Sequence, residues 1–324
     1  MKMVWKINKN VLWAMTLAVV AVAFTGSALA QGVSPVVWST TATSFDNGLA
    51  PSVAIAGIVA VEVHESGSGT LWYSLGQIQG STIVWSDPSQ YANGYAPSIA
   101  IVGNTVVEVH QATPSAGPLW NVNGQITSSS SISWGFATQY DNGLAPSVAV
   151  DGTSVVEVHQ AGSGVGPLFY HTGELGTSIV EWAANPAQYD NGAAPSVAVA
   201  GSTVIEVHQV DSGVGPLWYH AAEIRANGSV VWATNGAQYG TGLAPSVSAS
   251  GPTAVEVHQV DSGVGPLASQ TAALQSSGTV KFAKKPFEYG SGEAPRVSVA
   301  GSTIVEVHDA SSGVGPIFYQ TAAY

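Results

Sequence analysis

The sequence predicts an all-β fold, a six-bladed β-propeller of four-stranded blades, and three observations carry that expectation. Glu-Val-His recurs six times, with histidines at His64, His110, His159, His208, His258 and His308, in steps of 46 to 50 residues. Each copy follows Ala-Pro-(Ser/Arg)-(Val/Ile), and five of the six precede Gly-Pro-(Leu/Ile). Every period holds four short β patterns separated by turn signals, and no helical periodicity follows residue 30. A repeat of about 50 residues with four strands has the size of one propeller blade.

The chain opens with Lys2, Lys6 and Lys9, an apolar stretch from Val11 to Phe24, and Ala28-Leu29-Ala30 before Gln31. That order reads as a secretory signal peptide over residues 1–30, leaving residues 31–324 as one domain, secreted or periplasmic. Its removal takes away three lysines and no acid, so the net charge moves from −12 to −15. So acidic a chain excludes nucleic acid and anionic membrane surfaces as partners, and no later segment suggests membrane insertion. Charged residues make up only 9% of it, against roughly 25% in ordinary globular proteins. A surface of Ser, Thr, Asn, Gln and Gly suits neutral polar ligands. With no cysteine, disulfides and thiolate metal sites are excluded, and stability rests on the core.

The fourth cassette shows the elements in order. Ala194 to Val199 reads as a first strand and Ala200-Gly201-Ser202 as a turn. The β-branched run Thr203 to Gln209 is a second strand, and a Gly-rich loop leads to a third from Pro216 to Glu223. Asn227-Gly228 is a hairpin signal, and Ser229 to Trp232 a fourth strand. A loop through Tyr239 and Gly242 then opens the next cassette. Pro35-Val36-Val37-Trp38 matches a fourth strand, whereas the chain stops after a third strand at Phe318-Tyr319. The N-terminal strand is therefore expected to complete the last blade and close the ring, removing two exposed sheet edges.

Strand alternation puts Glu206 and His208 on one side of their sheet and Ile205 and Val207 on the other. A blade has a neighbour on both sides, so the repeated Glu and His are expected between blades, where a carboxylate needs a partner. One reading has these pairs setting blade registry; the other gives them a ligand. Outer-strand aromatics (Trp38, Trp85, Trp134, Trp182, Trp232, Phe282) read as packing. Trp72, Trp120, Phe169, Trp218 and Phe318 open strand three beside the Gly-rich loops, and Ala268 breaks the series. Loop aromatics, among them Tyr91, Tyr140 and Tyr189, recur beside an Asp-Asn-Gly turn, and read either as sugar contacts or as staples of the turn.

Catalytic patterns do not emerge. His-Glu-x-x-His, Gly-x-Ser-x-Gly, P-loop and EF-hand motifs are missing, and Arg225 and Arg296 alone after residue 30 are too few for a sialidase arginine cluster. No enzyme activity, cofactor or metal is expected.

The run Gly201-Ser-Thr-Val-Ile-Glu-Val-His-Gln followed by Gly215-Pro-Leu-Trp-Tyr-His220 resembles the blade pattern of secreted propeller lectins, the fungal fucose-binding and PLL-type bacterial kinds. The resemblance implies sugars held in clefts between blades, stacked on Trp or Tyr and hydrogen-bonded by Glu, Gln and Arg. Carried over, Glu206 becomes an acceptor and Trp218 a stacking platform. The counterparts are Glu62, His64 and Trp72; Glu108, His110 and Trp120; Glu157, His159 and Phe169; His208; and Glu306, His308 and Phe318. Here the strand-two repeat carries His and no Arg, a departure from the fucose-binding pattern. The expected function is a multivalent lectin for neutral glycans or glycoconjugates. The alternative is a structural or adhesive propeller with a cell-surface protein partner and purely structural Glu-His pairs.

Overall fold

A computed structural model describes residues 35–275 and 279–324, and the segment read as a signal peptide lies outside the described residues. Those residues form 25 antiparallel strands and no helix, in a propeller-like arrangement.

In the fourth cassette the strands are Ala187–Ala200, Thr203–Gln209, Gly215–Ile224 and Val230–Trp232. Gly201 supplies the left-handed turn residue between the first two, at φ 60°. The Asn227-Gly228 hairpin forms as its residues dictate. The Gly228 N–H donates to the Arg225 carbonyl at 2.8 Å, and Asn227 Oδ1 accepts from the Ser229 N–H at 3.1 Å.

The expected loop through the Tyr-Asp-Asn-Gly segment is instead strand. Ala187–Ala200 runs unbroken for 14 residues but serves two sheets. Its first half pairs with the third strand of the preceding cassette, Gly192 opposite Gly166 and Gln188 opposite Phe169. Its second half pairs with Thr203–Gln209. The physical reason lies in the short outer strand Val180–Trp182, which covers only Gly173 to Leu175. The N-terminal half of that third strand keeps a free edge, and the Asp-Asn-Gly backbone fills it. Each outer strand thus comes in two pieces.

The switch between sheets is a bend at Ala-Pro. Ala50, Ala96, Ala145, Ala194, Ala244 and Ala294 all have φ between 46° and 50°. A non-glycine residue there costs about 1–3 kcal/mol, and the proline that follows disfavours helical backbone further. The residue after each histidine helps hold the bend of the next cassette. Ala194 donates its N–H to Gln160 Oε1 at 2.8 Å, and Gln111, Gln209, Gln259 and Asp309 do the same for Ala145, Ala244, Ala294 and Ala50.

Beyond the bend, the inner strands lie side by side around a cavity lined by all six cassettes. Their inward edges would present unpaired N–H groups. Serine answers this: Ser52, Ser98, Ser147, Ser196 and Ser246 each accept, through Oγ, an N–H from the next inner strand at 3.1–3.2 Å. Arg296 replaces the sixth serine, and Ser298, two residues on, takes the Ile55 N–H at 3.0 Å.

The two ends of the described chain meet. Val37 pairs with Ala323 and Trp38 with Ala322, and Thr43 to Gly48 pairs with Tyr319 to Gly315. Between sheets lie dry clusters such as Val156 and Val158 against Val197, Val199, Val204 and Val230. Each such valine contributes about 1.5–3 kcal/mol by leaving water.

Candidate functional site

The repeated Glu and His lie on the sheet face the alternation predicts, and both are buried. All six glutamates are 0% exposed and the histidines at most 2%. Each His Nδ1 meets both carboxylate oxygens of the Glu two residues earlier; His208 lies 3.2 and 3.0 Å from those of Glu206. Burial alone would push each histidine pKa down. The charge of the paired glutamate and its hydrogen bond outweigh burial, and all six are shifted upward. At Glu62 burial wins and raises the carboxyl, aided by the nearby Asp46 charge.

Three further residue positions complete this site, and motif reading missed them. The first is the glycine that ends Asp-Asn-Gly in three cassettes and stands at the matching position in the other three. A Cβ on Gly48, Gly94, Gly143, Gly192, Gly242 or Gly292 would stand 2.3–2.5 Å from the Cδ2 of the histidine it faces. The others are the residue after the recurrent aromatic and the one opposite each glutamate on strand three. Asp190 Oδ2 bridges His220 Nε2 at 2.5 Å and His208 Nε2 at 3.5 Å. Asp141 does the same for His171 at 2.7 Å and His159 at 3.4 Å. Elsewhere the partner changes, and in three cassettes the acid changes with it. Asp46 faces Ser74, Ala92 accompanies Val122, and Gly240 and Gly290 leave room for Gln270 and Gln320. That co-variation is visible among the six copies of one sequence once the pairing of Glu206 with His220 is known.

Tyr91, Tyr140 and Tyr189, expected on loops, are strand residues with one ring face covered. They stack on Trp134, Trp182 and Trp232 of the next sheet at centroid distances of 4.5, 4.8 and 4.5 Å. Phe45 on Trp85, Tyr239 on Phe282 and Tyr289 on Trp38 complete the series. The Tyr91 and Tyr239 hydroxyls donate to Glu108 and Glu256 at 3.0 and 2.9 Å. Burial, and then the carboxylate beside them, pushes both phenols far above their ordinary range. Outer-strand tryptophans therefore pack, as their sequence position suggests.

The strand-three aromatics keep part of their surface, as the outer tryptophans do, while Phe136 and Phe287 are 96% and 60% exposed. Trp72, Trp120, Phe169, Trp218 and Phe318 are all half-buried, directly across from the histidines at the loop end of the sheet. Phe169 and Phe318 lie roughly parallel to His159 and His308 at 5.9 and 5.8 Å. Ala268, which replaces the aromatic in the fifth cassette, is 0% exposed. One group of the described residues, Asp46, Glu62 and His64, brings three potential metal-ligand atoms within 4.8 Å of one another. Its His64 Nδ1 already faces both Glu62 oxygens at 3.2 Å.

No family model matches the chain, and no curated protein matches it. Solved structures do. A subtype N10 neuraminidase-like protein of A/little yellow-shouldered bat/Guatemala superposes with a TM-score of 0.53 at 9% identity, covering 90% of this chain and 98% of that one. The protein YjhT gives 0.55 at 8%, covering 85% and 94%. A protein from Lactobacillus plantarum gives 0.50 at 12%, covering 79% and 76%. At such identities the likeness is one of fold: an all-β, propeller-like chain.

Proposed function

We propose that the protein is a six-bladed β-propeller closed by its N-terminal strand, acting as an exported, non-catalytic, multivalent carbohydrate-binding protein. Closure is supported by the pairing of Val37 with Ala323 and by Trp38, which stacks on Tyr289 at 4.1 Å. Every other cassette makes the same kind of stack. The sugar-binding reading rests chiefly on the half-buried strand-three aromatics, one in each of five cassettes. The Glu-His pairs beneath them are buried, so their role is to fix the blade face on which each aromatic stands. A flat ring beside a cross-strand polar residue (Gln90, Gln139, Gln188, Gln238 or Ser44) fits the apolar face of a pyranose, and several weak sites gain through avidity.

The test is a glycan array followed by calorimetry. Fewer than six sites per chain, and one fewer in Trp218→Ala with melting unchanged, is the expected outcome. Undiminished stoichiometry in Trp218→Ala would move the site elsewhere. Absence of binding to any glycan favours a second reading, adhesion to a protein. The supporting observation there is a set of exposed valines at one loop position, Val165, Val214, Val264 and Val314.

A further inference from the structure

The six inner strands differ at one ring position: five serines and a single arginine. Ser52, Ser98, Ser147, Ser196, Ser246 and Arg296 all line the central cavity. Their level in the fold is set by pairing. Ser52 lies opposite Val63, next to His64, so the ring sits toward the end where the Gly-rich loops emerge. Each serine oxygen already accepts a backbone N–H from the neighbouring strand, and the hydroxyl proton is left to donate. The guanidinium has five N–H donors and no acceptor. Among the described residues its one hydrogen bond runs from Nη1 to the Pro295 carbonyl at 3.1 Å.

Among the described residues, no carboxylate oxygen lies within 4.0 Å of the Arg296 nitrogens. Asp309 is the acid near enough to influence it, and one of its oxygens is committed to the Ala50 N–H. Burial pushes the guanidinium pKa down and the Asp309 charge opposes it, while part of the side chain stays exposed. Charges withdrawn from water are ordinarily paired. A ring of donors with one unpaired guanidinium and no competing cation has the chemistry of an anion site. The cavity, about 180 Å³, is several times the roughly 30 Å³ share of one water molecule.

We infer that the loop-end mouth of the central cavity binds a small oxyanion, a carboxylate or a tetrahedral sulfate or phosphate, through the Arg296 guanidinium and the serine hydroxyls around it. The fork of N–H donors matches two oxygens of one ligand. The site uses none of the strand-three aromatics and is independent of glycan binding.

Arg296→Ser provides the test, because five cassettes carry serine at this position and the variant restores the repeat. Thermal melting and calorimetry are run with acetate, sulfate and phosphate at constant ionic strength, chloride being the reference. The intact protein is expected to be stabilised by at least one of the three, and which one assigns the carboxylate or tetrahedral class. In Arg296→Ser affinity should fall by about tenfold or more, the scale of a lost charge-assisted pair. Arg296→Lys, which keeps charge and loses the fork, should bind with intermediate strength. Asp309→Asn, which removes the nearby negative charge, should bind more tightly. Equal anion binding in the intact protein and Arg296→Ser would overturn the inference. So would no binding by the intact protein, including the case in which only Asp309→Asn binds.

Discussion

His208 rests on the backbone of Gly192, so close that a Cβ at residue 192 would stand 2.5 Å from the histidine Cδ2 and 2.9 Å from the Gln209 carbonyl. The same contact occurs in all six cassettes. It lets a wide imidazole lie flat between sheets with Nδ1 on its glutamate. Gly192→Ala should therefore displace the ring and cost about 1–3 kcal/mol, the usual price of overpacking a tight core. Gly213→Ala, at an open loop position with nothing within 4 Å, is the control. Equal denaturant midpoints for the two variants would contradict this contact's importance.

Acidity should stabilise this protein, against the ordinary trend. The six histidines have folded pKa values raised above 6.5. Their contribution is complete below that value and lost as pH rises through the raised one. Asp309 moves the same way: burial lifts its carboxyl from 3.8 to about 7, so its ionisation across that window also destabilises. At each of these groups the native state holds protons more tightly than the unfolded chain, and stability falls as pH rises. The thermal midpoint should decline from mildly acidic through neutral to mildly basic buffer. Asp309→Gln, which installs the glutamine of four other cassettes, should flatten the part below about pH 7. A midpoint that climbs with pH in the intact protein would refute the assignment.

Asp190 and His220 should behave as one unit. Asp190→Gly leaves the buried His220 Nε2 without its 2.5 Å partner, costing about 1–3 kcal/mol. His220→Gln removes the same bond from the other side. The double variant recreates the Gly240 and Gln270 combination of the following cassette and should recover much of the loss. Urea midpoints of the four proteins give the coupling, expected at about 0.5–3 kcal/mol. Simple additivity would mean the two positions vary independently.

Removing residues 31–40 should weaken the whole fold rather than fray one end. The deletion takes away the Trp38 stack on Tyr289, the Trp38 Nε1 bond to Ser269 Oγ at 2.9 Å, and the strand paired with Ala322 and Ala323. The aromatic pair alone contributes about 0.5–1.5 kcal/mol beyond its buried area, and the uncovered edge invites aggregation. Melting and light scattering unchanged from the full chain would rule out closure by this segment.

Much of the fold was legible because its signals are local and repeated six times. The Asn227-Gly228 hairpin, the Gly201 turn and the β-branched run ending at His208 each follow from backbone chemistry within a few residues. The Asp-Asn-Gly segment misled for the same reason: its residues favour a turn, and nothing local reveals the free edge of Gly166 to Phe169 that recruits it into a sheet. The Tyr189 ring was legible as a recurrent aromatic, but its partner Trp232 lies 43 residues away and in the next sheet.

By itself the sequence determined the strand content, the repeat and the side of the sheet on which Glu206 and His208 stand, since these depend on alternation and turn residues along one chain. Only the tertiary structure decided that Asp190 would join His208 and His220, that Gly192 would seat the imidazole, and that Gln160 would hold the bend at Ala194. Each of these contacts joins neighbouring sheets. Their energies come from groups made adjacent by packing, where loss of water leaves a polar atom dependent on whichever partner the next sheet supplies.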